Sequence, residues 1–293
     1  MIKLSYQYNS SFLVFTFIII ACTSATAFCQ ADSILISKAD NKGKIGFEKE
    51  RFSASLGCFT SVDNTGITLG SKQLGMGIII DIEDALGLET SSFVFRGTAN
   101  YKYGKRNQHA IILDYFSINR NATKVLETDP EFGDYTYSVG AKLQSKFNLS
   151  IIRAKYEYAF LQDDRVSLGF SAGFFIMPIS FSVKSERSDE QSTSMIAPLP
   201  LLGIHSDFLL TKRLVLKESI EMLYLKYGNF TGSILDVNFA VEHRTFKHFG
   251  LGLGINLSRL NIAAKGNEYP EINFFGTVKM EYNGALLYAR FYF

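Results

Sequence analysis

The clearest structural signal in the chain is the nonapeptide FRGTANYKY at residues 95–103. Its odd-numbered positions are apolar, small or aromatic, whereas its even-numbered positions are polar or charged. Successive side chains of a β-strand point to opposite faces. The pattern therefore predicts a strand that has one apolar face and one polar, charged face.

The same alternation recurs from about Glu50 to the end of the chain, for example in RAKYEYAF (153–160) and DVNFAVEHR (236–244). Several predicted strands run for roughly 16–22 residues, against the five or six usual in soluble proteins. Tyr and Phe lie near their ends, where membrane barrels carry aromatic girdles. Because a closed barrel is the only sheet that pairs all its backbone groups in lipid, we predict an all-β fold, a closed antiparallel transmembrane β-barrel.

The spacing of polar links sets the strand count. Short links at 104–107, 162–165, 211–213 and 246–247 alternate with longer ones at 126–137, 184–193, 227–231 and 264–270. Membrane barrels have short turns on one side and long loops on the other. The pattern predicts ten strands, at about 50–69, 91–103, 107–125, 138–161, 165–183, 194–210, 213–226, 231–246, 248–263 and 271–293. A twelve-strand alternative divides the first strand region at Gln73–Asp81 or the last strand at Asn283–Gly284, but ten strands keep the alternation of link lengths.

Residues 73–90 fit neither scheme neatly. The core of this stretch, GMGIIIDIEDALGLE at 75–89, is apolar at first and acidic later. It is predicted to form either an external hairpin or a segment folded over the barrel mouth, with a helical turn at Glu83–Leu86.

The N-terminus carries an export signal. Lys3 precedes an apolar run at 12–21 and small residues at 24–27, the order of a secretory signal peptide, and the run is too short to span a bilayer. We assign 1–29 to the signal, with cleavage after Ala27 or Cys29. Alternatively, 19–22 resembles a lipoprotein box that would lipidate Cys22. Residues 30–48 are expected to be disordered, and 49–293 form the barrel.

Composition argues against several functions. The formal net charge is only +2, so we predict no nucleic-acid partner. Cys58 is the one thiol certain to remain after export, which leaves no internal disulfide framework and no cysteine metal site. We predict no cofactor and no metal, and the oligomeric state stays open.

The last residues, Tyr288–Phe293, read YARFYF. A terminal Phe preceded by apolar residues at alternate positions resembles the carboxy-terminal signature of bacterial outer-membrane proteins. The resemblance implies an outer-membrane location, contact with outer-membrane lipid, and a barrel-assembly machinery that reads the terminal strand. The assembly signal would consist of Leu287, Ala289, Phe291 and Phe293. Pieces at 80–88, 197–200 and 282–288 are similar to uncharacterised outer-membrane barrels, which imply no activity.

Strand parity predicts a set of charged side chains that point into the lumen. They are Arg96, Lys102, Asp114, Arg153, Lys155, Glu157, Lys217, Glu221, Asp236, Glu242, Arg244 and Arg290. Unpaired charges are costly in a low-dielectric interior, and barrels of about eight strands are filled by side chains whereas open channels have about 16–18. Ten strands therefore favour a plug of salt bridges over a selective, porin-like pore.

One pair could indicate catalysis. His205 and Asp207 share a strand face, and a His oriented by a carboxylate can activate water. Omptin proteases, ten-stranded barrels that resemble this architecture, place an Asp pair opposite an Asp/His pair at the external rim. Here the pair lies near Thr211, at the predicted periplasmic end, and Ser206 points to the opposite face. We therefore expect a structural hydrogen bond and predict no catalytic residue.

The sequence predicts a structural or narrow-channel outer-membrane barrel whose lumen is largely filled by paired charges. Two alternatives remain open at this point. One is an outer-membrane hydrolase that acts at the extracellular rim. The other is a binding or adhesion barrel that works through the surface loops at 126–137 and 184–193. The acidic turns at 131–134 and 163–164 are expected to be solvated loops rather than calcium sites.

Overall fold

The strands follow one another in a simple up-and-down order. The computed structural model describes residues 50–69, 80–125, 131–132, 135–136, 140, 142–185, 188–228, 230–264 and 276–293. Its elements are β1 (Phe52–Leu69), β2 (Ile80–Asp81), α1 (Ile82–Leu86), β3 (Ser91–Tyr103), β4 (His109–Val125), β5 (Glu131–Phe132), β6 (Tyr135–Thr136), β7 (Lys142–Gln162), β8 (Val166–Ser185), β9 (Ser188–Leu209), β10 (Leu214–Tyr227), β11 (Phe230–Phe246), β12 (Phe249–Ala264) and β13 (Gly276–Tyr292). The predicted signal peptide and the segment 30–48 lie outside the described residues. No helix within the described residues is long and apolar enough to cross a membrane.

The ten long strands form a closed antiparallel ring in the order β1-β3-β4-β7-β8-β9-β10-β11-β12-β13, with β13 paired again to β1. Ser53 of β1 pairs with Asn100 of β3 on one side and with Tyr292 of β13 on the other. The ten-strand prediction is confirmed and the twelve-strand alternative is wrong, because β13 runs through Asn283–Gly284 without a break. Each of these strands pairs with a neighbour on both sides, but towards the loop end β4 has no described β3 partner beyond Phe116 and β9 has no described β10 partner before Leu202.

The ring has two distinct ends. The connections at 104–108, 163–165, 210–213 and 247–248 are short and lie beside Phe52 and Phe293, and we call this the turn end. The opposite, loop end carries the connections 70–90, 126–141 and 265–275. Two predicted loops are wrong. Strand β8 continues to Ser185 and β9 begins at Ser188, while β10 ends at Tyr227 and β11 begins at Phe230, so most of 184–193 and 227–231 is strand.

The polarity of the two strand faces changes along the barrel. This change explains why the strand residues within 184–193 and 227–231 were predicted to be loops. Near the turn end, outward side chains are apolar, such as Ile152, Tyr156 and Phe160, which are 38%, 40% and 51% exposed. Nearer the loop end, β7 instead points Lys142 and Lys146 outward. We call the first region the lipid band and the second the loop-end extension. In the extension the outer face is polar because it meets water, so the sequence there resembles a loop.

The inward faces change in the opposite sense. Inside the lipid band they carry the charged side chains, whereas inside the loop-end extension they form an apolar core. This core includes Phe59, Phe116, Ile118, Phe147, Leu149, Ile151, Phe175, Met177, Leu199, Ile262 and Met280, all fully buried or nearly so. Water drives this burial as it would in a soluble barrel.

Helix α1 packs into the same core from the loop end. Ile82 and Leu86 are completely buried and Leu88 is 3% exposed. Residues 80–81 pair with Gly66 and Ile67 of β1. The described part therefore contains the predicted helical turn, packed over the core, and also a short antiparallel pairing of the kind that the hairpin prediction requires, so it does not separate the two predictions for 75–89. Residues 75–79 lie outside the described residues.

Candidate functional site

The structure places all twelve sequence-predicted lumen charges on inward strand positions. They come from β3, β4, β7, β10, β11 and β13, and the inward and outward faces are distinguished by alternating burial along each strand. All but Lys102 take part in ion pairs with other described residues. The lumen of the lipid band therefore contains a connected charge network rather than isolated ions.

Arg153 is the centre of this network. Its guanidinium donates from Nη1 to Asp236 Oδ1 at 3.0 Å and from Nη2 to Asp114 Oδ2 at 3.2 Å. Nη1 also lies 4.0 Å from Glu221 Oε2, and the side chain is only 2% exposed. These carboxylates come from β4, β10 and β11, so one side chain of β7 ties the barrel wall together across the lumen.

The three carboxylates have further partners. Asp114 accepts from Arg96 Nε at 2.9 Å and from Nη2 at 2.6 Å, a bidentate pair of the strong kind. Glu221 accepts from Lys155 Nζ at 2.5 Å, and the same ammonium lies 3.3 Å from Glu157. Asp114 and Glu221 are therefore each paired with a second cation besides Arg153.

Asp236 differs because its other partners are neutral. The hydroxyl of Tyr282 donates to Asp236 Oδ2 at 3.2 Å, and the amides of Asn256 and Asn238 donate to Oδ1. Sequence reasoning missed these residues because the parity argument considered charged residues only. Their inward positions on β11, β12 and β13 would have identified them.

A second cluster lies closer to the turn end. Arg290 pairs with Glu242 at 3.2 Å, and the hydroxyls of Tyr288 and Tyr292 also donate to Glu242. Arg244 pairs with Glu50 at 2.9 Å, and its guanidinium carbon lies 4.4 Å from the Tyr292 ring centre. Terminal strand β13 is thus anchored to β11 by the same kind of contact as the rest of the network.

Between the two clusters lies a cavity of about 220 Å³ that reaches the turn residues Asn107 and Gln108. Lys102 borders this cavity and forms no ion pair with any residue in the described part of the chain. Lys217, also on the cavity wall, pairs with Asp207 at 3.2 Å. The cavity is lined by both polar and apolar side chains and lies on the turn-end side of Arg153.

His205 and Asp207 both border this cavity, close to the turn end as the sequence predicted. His205 Nδ1 lies 3.9 Å from Glu157 Oε2, and Asp207 is held by Lys217. Ser206 points outward instead, and its hydroxyl donates to Glu218 Oε2 at 3.0 Å. The three side chains therefore do not form a Ser-His-Asp arrangement.

A separate buried ion pair fastens α1 in the loop-end extension. Arg120 of β4 pairs with Glu83 and donates to Thr65 Oγ1 at 2.7 Å, and Glu83 also accepts from the backbone N–H of Thr65 at 2.9 Å. Burial raises the pKa of Glu83, and the Arg120 guanidinium offsets part of this rise. Sequence reasoning missed the pair, although Arg120 has the inward parity of β4.

The four residues of the predicted assembly signal lie on the outward face of β13 or just beyond it. Leu287, Phe291 and Phe293 are exposed and Ala289 is half-buried. The Phe293 ring packs against Phe52 at 5.6 Å, and the Phe291 ring packs edge-on against Phe249 at 5.4 Å. The signal therefore forms part of an aromatic surface at the turn end, and its reading by an assembly machinery stays a prediction.

Comparisons with known proteins agree on the fold. No protein-family model and no curated protein sequence matches the chain. Among solved structures, it is similar to the outer membrane protease OmpT from Escherichia coli, with a TM-score of 0.51, 10% identity, and coverage of 83% of this chain and 97% of that one. The transport unit of the autotransporter AIDA-I from Escherichia coli (TM-score 0.44, 8% identity, 92% and 97% coverage) and Ail of Yersinia pestis (TM-score 0.37, 11% identity, 81% and 99% coverage) are more distant.

The lipid band and the barrel fold together establish the type of protein. The chain is an outer-membrane β-barrel, as the sequence predicted. Barrels of this type have short periplasmic turns and longer extracellular loops, and by this rule we assign the turn end to the periplasm and the loop end to the outside.

Proposed function

We propose that this protein is a non-conducting, structural outer-membrane barrel. The observation that carries the proposal is the position of Arg153, which joins β7 to Asp114, Asp236 and Glu221 across the middle of the lumen. A charged group bound to three carboxylates of the surrounding wall leaves neither the space nor the free charge that a conducting path needs.

The apolar core supports the same proposal. On the external side of Arg153, Phe59, Phe116 and Tyr282 pack within 5.8–6.3 Å of one another, measured between ring centres. Helix α1 adds Ile82 and Leu86 above them. An ion that passed Arg153 would then have to enter a packed apolar layer, where an unpaired charge is strongly disfavoured.

The two alternatives have less support. A hydrolase at the external rim would borrow its activity from the likeness to the protease OmpT, but His205 and Asp207 border the cavity on the periplasmic side. An adhesion barrel that uses the loop 184–193 loses most of that loop, because β8 and β9 occupy it up to Ser185 and from Ser188.

Conductance in planar bilayers tests the proposal. The purified, refolded full-length protein is expected to insert, as shown by heat-modifiable migration on gels, and to give no current steps under a voltage at which a reference porin conducts. The matched variant is Lys102→Gln, which removes a charge from the cavity wall without breaking any ion pair between described residues. Reproducible steps whose ion selectivity changes in that variant would show that ions pass through the lumen, and the proposal would fail.

A further inference from the structure

The cavity on the turn-end side of Arg153 has more cations than acids in its wall. Of the described residues, eight Lys and Arg residues and five Asp and Glu residues line it. The excess arises because three acids of the charge network, Glu221, Asp236 and Glu242, are at most 1% exposed and do not reach the cavity surface. The cations that are paired with these acids do reach it. The network therefore presents more positive than negative groups to the cavity.

Lys102 is an inward cation for which no described acid is left. The charges of Asp207 and Glu157 act on its ammonium, but Asp207 is paired with Lys217 at 3.2 Å and Glu157 with Lys155 at 3.3 Å. The inward residues of all ten long strands at this level belong to the described part of the chain. A lysine ammonium has three donors, and a charge without a partner is costly in a barrel interior. Lys102 therefore suits an anion that enters the cavity.

A second lysine, Lys217, lies on the opposite wall of the same cavity. In the closed ring, β3 and β10 are five strands apart in both directions, so Lys102 and Lys217 face each other across the lumen. Both line the cavity, and the charge of Lys217 acts on Lys102. The Lys217 ammonium donates to Asp207 Oδ2, which leaves two of its three donors for another acceptor. An anion that has a negative group at each end can therefore contact both walls at once.

The size and the opening of the cavity limit what this anion can be. The volume is about 220 Å³, and about 150 Å³ is enough for a molecule of the size of benzene, so a chain of a few carbon atoms with two charged ends fits. The small side chains of Ala110, Ala159 and Ala240 also line the cavity and can contact such a chain. The cavity reaches the turn end at Arg51, which is exposed, whereas Arg153 closes the other side. A ligand would therefore enter and leave from the periplasmic side.

We propose that the cavity binds a small organic dianion that has a carboxylate at each end. Lys102 binds one carboxylate and Lys217 binds the other, while the carbon chain lies between the two walls. A compact dianion such as inorganic phosphate carries its charge at one point and does not reach both lysines. Binding requires no passage beyond Arg153, so it holds whether or not the barrel conducts.

Isothermal titration calorimetry of the refolded full-length barrel in an uncharged detergent measures the binding of succinate. At low ionic strength the wild type should bind succinate saturably, and Lys102→Gln should bind it at least about tenfold more weakly, because a charge-assisted hydrogen bond is lost. The matched control is Lys247→Gln, which removes the same charge from an exposed turn residue that does not line the cavity. The control should bind succinate like the wild type, and the difference between the two variants should shrink at higher salt.

Two further probes test the need for two separated charges. Succinamate, the monoamide that keeps one carboxylate, and inorganic phosphate should each bind to the wild type about tenfold more weakly than succinate.

The double variant Lys217→Gln/Asp207→Asn removes the ion pair of the far wall without changing the net charge, and it should bind succinate and succinamate about equally. Absence of saturable succinate binding to the wild type, or equal affinity of Lys102→Gln and Lys247→Gln, would overturn the cavity as the site. Equal affinity of the wild type for succinate and for either probe would overturn the ligand with two charged ends. Heat-modifiable migration checks that every variant is folded.

Discussion

Replacing Arg153 by methionine should destabilise the barrel more than any other single change in the charge network. Methionine keeps much of the length of the side chain and removes the charge. Asp114 retains Arg96, and Glu221 retains Lys155. Asp236 retains only the neutral donors Tyr282, Asn256 and Asn238. The variant therefore leaves one completely buried carboxylate without a cation.

Breaking a buried ion pair by removing one partner costs about 3–5 kcal/mol, because the remaining charge is left uncompensated. We expect the free energy of unfolding to fall by about that amount. The double variant Arg153→Met/Asp236→Asn removes the stranded charge as well, and it should recover at least about 1–2 kcal/mol of the loss. Lys102→Met is the control, because Lys102 forms no ion pair with any described residue.

Urea unfolding in lipid vesicles provides the measurement. The chain contains no Trp, so far-UV circular dichroism and heat-modifiable gel migration would follow the transition. A loss below about 1 kcal/mol in Arg153→Met would refute the central role of Arg153. A double variant no more stable than the single one would show that the penalty does not come from Asp236.

Two other substitutions test the wall of the barrel. In Gly57→Ala the new Cβ would lie 2.7 Å from the Leu287 carbonyl oxygen at the β1–β13 pairing, so the unfolding free energy should fall by about 1–3 kcal/mol. The control is Gly97→Ala, which should be nearly neutral because its Cβ meets only a Leu56 methyl group at 3.6 Å. Equal losses in the two variants would contradict the crowding between β1 and β13. Glu218→Leu removes an outward carboxylate from the lipid band and should raise the unfolding free energy by about 1–2 kcal/mol. The stability of Glu218→Gln should lie between those of the wild type and the leucine variant. A leucine variant less stable than the wild type would mean that Glu218 does not face lipid.

The sequence predicted the ring well because lipid imposes different requirements on the two faces of each strand. In FRGTANYKY the apolar residues had to meet lipid and the charged residues the lumen, and parity alone placed Arg96 and Lys102 inward. Parity does not predict which charges meet across the barrel. The contact between Arg153 and Asp236 joins residues 83 positions apart, and it depends on strand tilt and register around the whole ring.

The errors concentrate where the strands leave the lipid. At 184–193 the outward positions are polar because they meet water, so their sequence has the composition of a loop although β8 and β9 continue through most of it. A pattern in which the apolar positions move from one parity to the other would have indicated the change. On β7 the apolar parity is odd at Leu143–Ile151 and even at Ile152–Phe160.

This reversal also explains why the lumen has two barriers of different physical origin. In the loop-end extension, water surrounds the wall, and the hydrophobic effect packs apolar side chains inside. In the lipid band, the same effect cannot operate between the wall and the lipid, and the interior is held by hydrogen bonds and ion pairs around Arg153. Loss of one barrier leaves the other in place, so a substitution at Arg153 alone should weaken the barrel without opening it. A conducting variant would require changes on both sides of Arg153, in the ring of carboxylates and in the layer formed by Phe59, Phe116 and Tyr282.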